Sequence, residues 1–284
     1  MSRIHDLLNR AEQEKELLRM VDVERESVAL PVAIGASAQS RAAQQIGRSS
    51  PLTFDDLLSF CPRRAWVPDP ASNVFAGEPQ SAAAEELRGI RSRLYRLRET
   101  RQLKTLLVTS PVHKEGKSFV ACNLAHALAI QPDCRVLLID ANLRNPALHK
   151  FFGTLPTPGL SDYLLKPADP MSIVQRGESD NLILIAAGSA VVGPAELLGN
   201  GQLPSLIKLV APAFDWIVID SPPAIPFTDA ALLANPCDGV LLVVRSNSTP
   251  LEVARRARRK FRDGHIAGVV LNGVAAHQNY AEIH

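Results

Sequence analysis

Six short runs of apolar residues, separated by segments with helical periodicity, most constrain the fold of this chain. The runs are KTLLVTS (104–110), RVLLID (135–140), NLILIAA (181–187), DWIVID (215–220), GVLLVV (239–244) and IAGVVLN (266–272). Helical patterns between them include 118–131, 194–210 and 250–262. Continuous apolar runs are typical of parallel strands covered on both faces. The alternation predicts an α/β fold: a doubly wound, mostly parallel sheet with helices on both faces and ligands beyond the carboxyl ends of its strands.

The segment that follows the first run, TSPVHKEGKS (109–118), ends in Gly-Lys-Ser and enters a helical pattern. In a phosphate-binding loop, backbone N–H groups and the helix N-terminus face the phosphates, the lysine reaches the terminal phosphates, and the hydroxyl binds magnesium. A strand before the loop and a helix after it is the context that this motif requires. We predict a nucleotide site with the binding residues Lys114, Glu115, Gly116, Lys117, Ser118 and Phe119.

Two further predicted strands end in an aspartate, VLLIDANLRNP at Asp140 and WIVIDSPP at Asp220. An isolated aspartate after a strand is commonly a turn former or a helix cap. Two of them at the same sheet edge as a phosphate loop instead predict ligands that organise a Mg²⁺ ion and its water shell. The predicted magnesium ligands are therefore Ser118, Asp140 and Asp220.

The chain before the sheet divides into three segments. Residues 1–30 begin with a charged amphipathic helical pattern, which either packs on its own domain or docks on a partner. Residues 31–80 are rich in Pro, Ala and Ser and predict a linker with one short helix at TFDDLLSF. Residues 81–102 predict a highly charged helix with one apolar stripe. We expect a P-loop ATPase domain over 81–275 that includes this helix, and a tail at 276–284.

Composition excludes several classes of protein. The net charge of the 284-residue chain is only +2, so nucleic acid is not an expected partner. The four cysteines are far apart and form no C-x-x-C pair, which indicates buried free thiols and a reducing compartment. No segment reaches the roughly 18 consecutive apolar residues of a membrane span, and the first residues are too polar for a secretory signal. We expect a cytoplasmic protein.

Four stretches together, DWIVIDSPP, VLLIDANLRNPALH, GLSDYLL and GPAELL, resemble the bacterial tyrosine kinases of capsule and exopolysaccharide biosynthesis. These BY-kinases, here of the CpsD/CapB-like kind, belong to the MinD/ParA-like P-loop ATPases. The resemblance covers residues 80–275. It implies an ATP-dependent protein-tyrosine (auto)kinase that transfers the γ-phosphate of ATP to tyrosine, uses ATP and Mg²⁺ as cofactors, and regulates the synthesis and export of a polysaccharide.

The nucleotide motifs of that family fall on particular residues of this chain. Its Walker A motif falls on 116–118, its Walker A′ motif, D-x-D-x-R, on Asp140 and Arg144, and its Walker B motif on Asp220. The resemblance thus implies Lys117, Asp140 and Asp220 as the catalytic residues. Asn272 ends the last strand where this class commonly places an adenine-binding asparagine, although a turn former would also fit there.

The resemblance also implies an assembly and partners. The family motif E-x-x-R-x-x-R, with which neighbouring subunits form a ring, falls on Glu85, Arg88 and Arg91. Tyr280 in the tail HQNYAEIH is the implied phosphoacceptor. The implied partners are a membrane-embedded polysaccharide co-polymerase or adaptor, tyrosine-containing protein substrates and a cognate phosphatase. The implied location is the cytoplasm, with peripheral association at the inner face of the membrane through the adaptor.

Several residues depart from the family pattern. Lys114 stands where the family has glycine and His113 where it has proline, and Pro111 removes a backbone N–H group. A side chain at a position that needs positive φ costs about 1 kcal/mol. Asn142 replaces the second acid of D-x-D, so it can hold a metal-bound water but cannot act as a base. Tyr280 is the only tyrosine in the tail, where the family has a cluster.

These departures leave two alternatives to an active kinase. One is a catalytically weakened nucleotide-binding regulator that acts as an assembly switch for polysaccharide export. The other is a MinD/ParA-like positioning ATPase. The signature lysine of that group would fall on Val112, and the motif at Glu85, Arg88 and Arg91 would then have no explanation.

Overall fold

The structure is a computed structural model that describes residues 52–61, 63–166, 169–262 and 264–274. Its helices are α1 (Phe54–Phe60), α2 (Val74–Gly77), α3 (Ala82–Thr100), α4 (Lys117–Ala129), α5 (Leu148–Phe151), α6 (Leu160–Leu165), α7 (Pro194–Leu198), α8 (Gln202–Val210), α9 (Asp229–Ala234) and α10 (Leu251–Arg258). Its strands are β1 (Thr105–Thr109), β2 (Val136–Asp140), β3 (Val174–Arg176), β4 (Leu182–Ile185), β5 (Trp216–Asp220), β6 (Gly239–Arg245) and β7 (Ile266–Asn272). Short 3₁₀ turns lie at Pro170–Ser172 and Ala211–Ala213.

The seven strands form one sheet in the order β3-β4-β2-β5-β1-β6-β7. All neighbouring strands are parallel except β3, which pairs antiparallel with β4 at one edge. The six predicted apolar runs are six of these strands, and the doubly wound parallel fold is confirmed. Strand β3, a three-residue edge strand of sequence VQR, was not predicted.

Apolar side chains cover both faces of the sheet. Because successive strand residues point to opposite faces, Leu106 of β1 lies in one buried cluster and Leu107 in the other. The cluster around Leu106 also contains apolar residues of α3 and α4. The cluster around Leu107 contains residues of α1, α8, α9 and α10. The strands β1, β2 and β5 are buried throughout, as expected for central parallel strands.

The helical pattern predicted over 194–210 is divided in two. Helix α7 ends before Gly199-Asn200-Gly201, and α8 begins at Gln202. Gly201 has a φ of 82°, a left-handed conformation that glycine adopts without a Cβ clash. The two glycines therefore interrupt the helix, although the apolar periodicity continues across them.

The predicted linker over 31–80 is corrected where the structure describes it. The predicted short helix at TFDDLLSF is confirmed as α1, but Phe54 and Leu57 are buried in the core of the domain. The Trp66 ring lies 4.7 Å from the Phe152 ring, and the Val67 N–H donates to the Phe152 carbonyl at 3.0 Å. Residues 52–80, apart from residue 62, are therefore part of the folded domain.

Three predictions lie outside the described residues. These are the amphipathic helix over 1–30, the tail over 276–284 and the phosphoacceptor Tyr280. Among the helices that the structure does describe, none has the length and apolar character needed to cross a bilayer.

Candidate active site

The predicted site residues meet at the carboxyl edge of the sheet. Strand β5 lies between β1 and β2, so the phosphate loop and the two aspartates follow three adjacent strands. Asp140 and Asp220 are paired in register on β2 and β5, and the Ala141 N–H donates to the Asp220 carbonyl at 2.9 Å. Paired residues of neighbouring strands point to the same face. The topology therefore brings both carboxylates to the N-terminus of α4, where the loop ends.

The loop adopts a conformation that requires positive φ at two residues. Gly116 has a φ of 90° and is the N-cap of α4. A Cβ at this position would overlap the Nδ2 atom of Asn272, so only glycine fits. Lys114 has a φ of 65°, which confirms that this position needs the backbone conformation favoured by glycine. As a non-glycine residue in this region, Lys114 carries a strain of about 1 kcal/mol.

The ends of β6 and β7 hold the loop in place. The Asn272 Nδ2 donates to the Glu115 carbonyl at 2.8 Å, and the Arg245 guanidinium donates to the Lys114 carbonyl at 3.2 Å. The buried Glu115 carboxylate accepts from the Thr249 hydroxyl at 2.5 Å, and burial raises its pKa. Asn272 therefore lies against the loop, a contact that the sequence did not indicate. Its contact with adenine stays a prediction.

Lys117, Ser118 and Asp220 form a hydrogen-bonded group at the start of α4. The Ser118 hydroxyl donates to Asp220 Oδ2 at 2.6 Å, and Lys117 Nζ donates to the Ser118 oxygen at 2.9 Å. Lys117 Nζ also lies 3.8 Å from Asp220 Oδ1. This Oδ1 is fully buried and has no hydrogen-bond partner among the described residues. Burial raises the pKa of Asp220, and the charge of Lys117 partly offsets that shift.

Asp140 is completely buried and fixed by backbone donors. Its Oδ1 accepts from the Asn142 N–H at 3.2 Å, and its Oδ2 accepts from the Ala147 and Leu148 N–H groups at 3.1 and 3.0 Å. Burial, followed by the neighbouring charge of Asp220, raises the pKa of Asp140 to about 7. The Asn142 side chain donates to the Asn145 carbonyl at 2.8 Å, so its amide stabilises the turn after β2.

These residues fit a magnesium ion. Ser118, Asp140 and Asp220 offer hard oxygen atoms, and the unpartnered Asp220 Oδ1 is a buried acceptor that lacks a donor. In the described part of the chain, no group of three or more His, Cys, Asp or Glu side chains could hold a metal alone. Magnesium is usually held by one or two carboxylates together with substrate phosphates and waters. These oxygen ligands therefore suit a magnesium ion that binds together with a nucleotide.

Arg144 is held by a residue that no sequence pattern indicated. The Arg144 guanidinium makes two hydrogen bonds with the Asp229 carboxylate, at 2.8 and 3.0 Å, and lies 4.0 Å from the centre of the Phe227 ring. Asp229 is completely buried at the start of α9. The pair connects the Walker A′ segment to the segment after the Walker B strand. No local pattern distinguishes Asp229 from an ordinary acidic residue in the first turn of a helix.

Phe119 and the predicted assembly residues occupy defined positions. The Phe119 ring packs against the apolar cluster under α4, so its expected contribution to nucleotide binding is its backbone N–H group. Arg88 forms an ion pair with Glu85 and donates to the Pro79 carbonyl at 2.6 Å. Arg91 donates to the Ala127 carbonyl, near the end of α4, at 2.7 Å. Both arginines thus support the fold of their own subunit, and ring formation stays a prediction.

The parallel sheet, the strand–loop–helix motif and the two aspartates define a P-loop nucleotide-binding protein. The septum site-determining protein MinD of Pyrococcus horikoshii shares this fold, with a TM-score of 0.52 and 20% identity, covering 60% of this chain and 70% of that one. The kinase domain of the Escherichia coli tyrosine kinase ETK gives a TM-score of 0.67 with 27% identity, covering 78% of this chain and 86% of that chain. No family model matches the sequence.

Curated relatives identify the family. The tyrosine-protein kinase YwqD of Bacillus subtilis is 35% identical over 213 residues, which cover 73% of this chain and 90% of YwqD. The tyrosine-protein kinase Wzc of Salmonella typhi is 33% identical over 200 residues, covering 70% of this chain but 28% of Wzc. This chain therefore belongs to the family of bacterial tyrosine-protein kinases. It spans most of the length of YwqD and about a quarter of the longer relatives.

Proposed function

We propose that this protein is an ATP-dependent protein-tyrosine kinase that regulates the synthesis and export of a capsular or extracellular polysaccharide. The observation that carries the proposal is the group formed by Lys117, Ser118 and Asp220 beside Asp140, at the carboxyl edge of the sheet. Relatives of about one third identity are named tyrosine-protein kinases, and one from Klebsiella pneumoniae is named for the cps region. Both observations support the same reaction.

The phosphates of ATP bind at the loop over 109–118 and the N-terminus of α4. The backbone N–H groups there point at the ligand, and the helix dipole favours its negative charge. When ATP binds, Lys117 leaves Ser118 and Asp220 and contacts the terminal phosphates, whose negative charge it offsets. Because Lys117 is already held at this edge, little side-chain entropy is lost when the nucleotide binds. Asn272 and Thr249 keep the loop in its binding conformation.

Ser118 and Asp220 would hold Mg²⁺ and Asp140 would order its water shell; when bound, the ion would supply charge neutralisation at the terminal phosphates. In the reaction, the bond between the γ-phosphorus and ADP breaks as a bond to the tyrosine oxygen forms. The phenolic proton leaves with this step. We propose that Asp140 accepts this proton. Asn142 cannot accept it, because it has no carboxylate and its amide is hydrogen-bonded to the Asn145 carbonyl. The three backbone donors fix the orientation of Asp140.

A weakened nucleotide-binding regulator is the second candidate function. Two observations favour it: the strained φ of Lys114 and the position of Asn142, which replaces an acid of the family pattern. In that case the site would bind ATP and control assembly without transferring phosphate. The double variant Lys114→Gly with Asn142→Asp restores both family residues, so it should raise tyrosine phosphorylation if these departures limit turnover.

The proposed setting is the inner face of the membrane. We infer that a membrane-embedded polysaccharide co-polymerase or adaptor recruits the cytoplasmic kinase and that Tyr280 accepts the γ-phosphate of ATP bound to a neighbouring subunit. The chimeric protein CapA2B2 has a similar structure, with 27% identity to this chain, a TM-score of 0.66 and coverage of 77% of this chain. The exposed Glu85 carboxylate, beside Arg88 and Arg91, is the proposed contact for ring assembly. Other tyrosine-containing proteins and a cognate phosphatase complete the proposed partners.

The decisive experiment incubates the purified full-length protein with labelled ATP and Mg²⁺, with and without the adaptor. We expect phosphotyrosine that is lost in Lys117→Ala, with Tyr280→Phe identifying the acceptor. Lys208→Ala, which removes an exposed lysine from α8, is the matched control and should behave like the wild type. Tight ATP binding without phosphotyrosine in both conditions would reject the kinase in favour of the regulator. Absence of ATP binding would reject both.

A further inference from the structure

The surface formed by α10 and the turn after it concentrates positive charge. Six of the eight residues over 255–262 are basic and exposed, namely Arg255, Arg256, Arg258, Arg259, Lys260 and Arg262. The carboxylates within 251–265 are Glu252 and Asp263. The whole chain has a net charge of only +2. The charge of this segment, which we name the α10 surface, is therefore a local feature that core packing does not require.

The helix directs this charge away from the domain. Ala257 and Phe261, four positions apart, are buried in the apolar cluster of that face of the sheet. The basic residues occupy the remaining positions. Arg255 forms an exposed ion pair with Glu252 at 2.6 Å, which is worth little in water. Arg256 and Arg259 form no ion pair with any residue that the structure describes. Their charges are available to a partner.

Exposed apolar side chains lie on the same face of the sheet as α10. Val269 and Leu271 of the edge strand β7 pair with Leu242 and Val244 of β6, which are buried in the cluster that contains Ala257. Paired strand residues point to the same face, so Val269 and Leu271 also point to the side that α10 covers. They are nevertheless 56% and 63% exposed. The face therefore combines cationic and apolar groups.

We propose that the α10 surface binds the anionic surface of a lipid bilayer. A membrane surface attracts Lys and Arg electrostatically and accepts apolar side chains at the boundary between headgroups and acyl chains. A single-stranded nucleic acid would instead use exposed aromatic rings for stacking, and the aromatic residue of this segment, Phe261, is buried. A cavity of about 260 Å³ beside Lys260, Arg262 and His265 gives an anionic headgroup room to enter. The proposal goes beyond phosphoryl transfer and does not depend on it.

The test measures sedimentation of the full-length protein with vesicles of phosphatidylcholine alone or mixed with phosphatidylglycerol. We expect binding to the anionic vesicles only, weakening as salt is added. The variant Arg256→Gln/Arg259→Gln/Arg262→Gln removes three charges from the surface. Each charge near an anionic bilayer changes the partition coefficient about fivefold, so the loss of three charges should lower it roughly 100-fold. The matched control, Arg93→Gln/Arg96→Gln/Lys150→Gln, removes three exposed charges from α3 and α5 and should bind like the wild type.

Three results would overturn the proposal. The first is equal binding to neutral and anionic vesicles, and the second is equal loss of binding in the two triple variants. The third is tighter binding to DNA than to anionic vesicles, which would assign the surface to a nucleic acid. Circular dichroism of each variant checks its folding. The variant Leu271→Ser keeps every charge, so a loss of vesicle binding that persists across salt concentrations would support the apolar part of the contact.

Discussion

The contact between Gly116 and Asn272 allows a quantitative test of how the phosphate loop is held. In Gly116→Ala, the new methyl group overlaps the Asn272 amide, which must then release the Glu115 carbonyl. A non-glycine residue at a φ of 90° costs about 1 kcal/mol. The lost hydrogen bond adds about 1–2 kcal/mol. We expect the free energy of unfolding to fall by about 2–3 kcal/mol.

The double variant separates the two contributions. Asn272→Ala alone removes the hydrogen bond to Glu115 and should cost about 1–2 kcal/mol. In Gly116→Ala/Asn272→Ala the methyl group no longer meets the amide, and the hydrogen bond is lost only once. The double variant should therefore be about as stable as Gly116→Ala, with a coupling energy of about 1–2 kcal/mol between the two positions.

Urea unfolding of the wild type and the three variants, followed by circular dichroism, measures these values from the transition midpoints at a constant m-value. A parallel titration with an ATP analogue checks that the loss of loop order also weakens nucleotide binding. If the two substitutions prove additive, Asn272 does not meet the methyl group and the reasoning about the loop is wrong. Ala substitution at the exposed Gly264, also at positive φ and with open space around it, controls for backbone strain alone.

Three other predictions follow from neighbouring contacts. Lys114→Gly relieves the strained φ and should raise the unfolding free energy by about 1 kcal/mol in urea; a decrease would contradict the assigned strain. Asp229→Asn weakens a buried partner of Arg144 and should lower stability by about 1–3 kcal/mol, with a larger loss of kinase activity; unchanged stability would contradict the role of the pair. Glu85→Gln should abolish ring assembly in light scattering with less than about 0.5 kcal/mol change in stability, and an intact ring would exclude this contact.

The sequence predicted the parts of the fold that depend on local composition. The central strands were predictable because both faces of β1, β2 and β5 are buried, which requires continuous apolar runs. Strand β3 was not, because VQR is short and its pairing with β4 is an edge contact. Likewise, the packing of residues 52–80 depends on distant partners such as Phe152, and proline content alone indicated a linker.

The part of the site that follows from the sheet topology was also predictable from the sequence. Asp140 and Asp220 end apolar runs, and Lys117 begins the helix after the loop that follows a third run, so the topology of a parallel sheet was enough to predict their meeting. Asp229 was not predictable, because its importance comes from Arg144, which lies 85 positions earlier in the chain. Such long-range pairs leave no local pattern. The intramolecular hydrogen bond of Arg91 to Ala127 is a second example.

The placement of Asp140 next to Asp220 also has a consequence for evolution. Two buried carboxylates on adjacent strands repel each other and lose hydration, so each is less stable there than a valine would be. We propose that the protein keeps them for catalysis, in which case the well-packed strands around them compensate for their cost. Selection for stability alone would remove this pair, and a homologue that has lost its catalytic role should drift towards apolar residues at these two positions first.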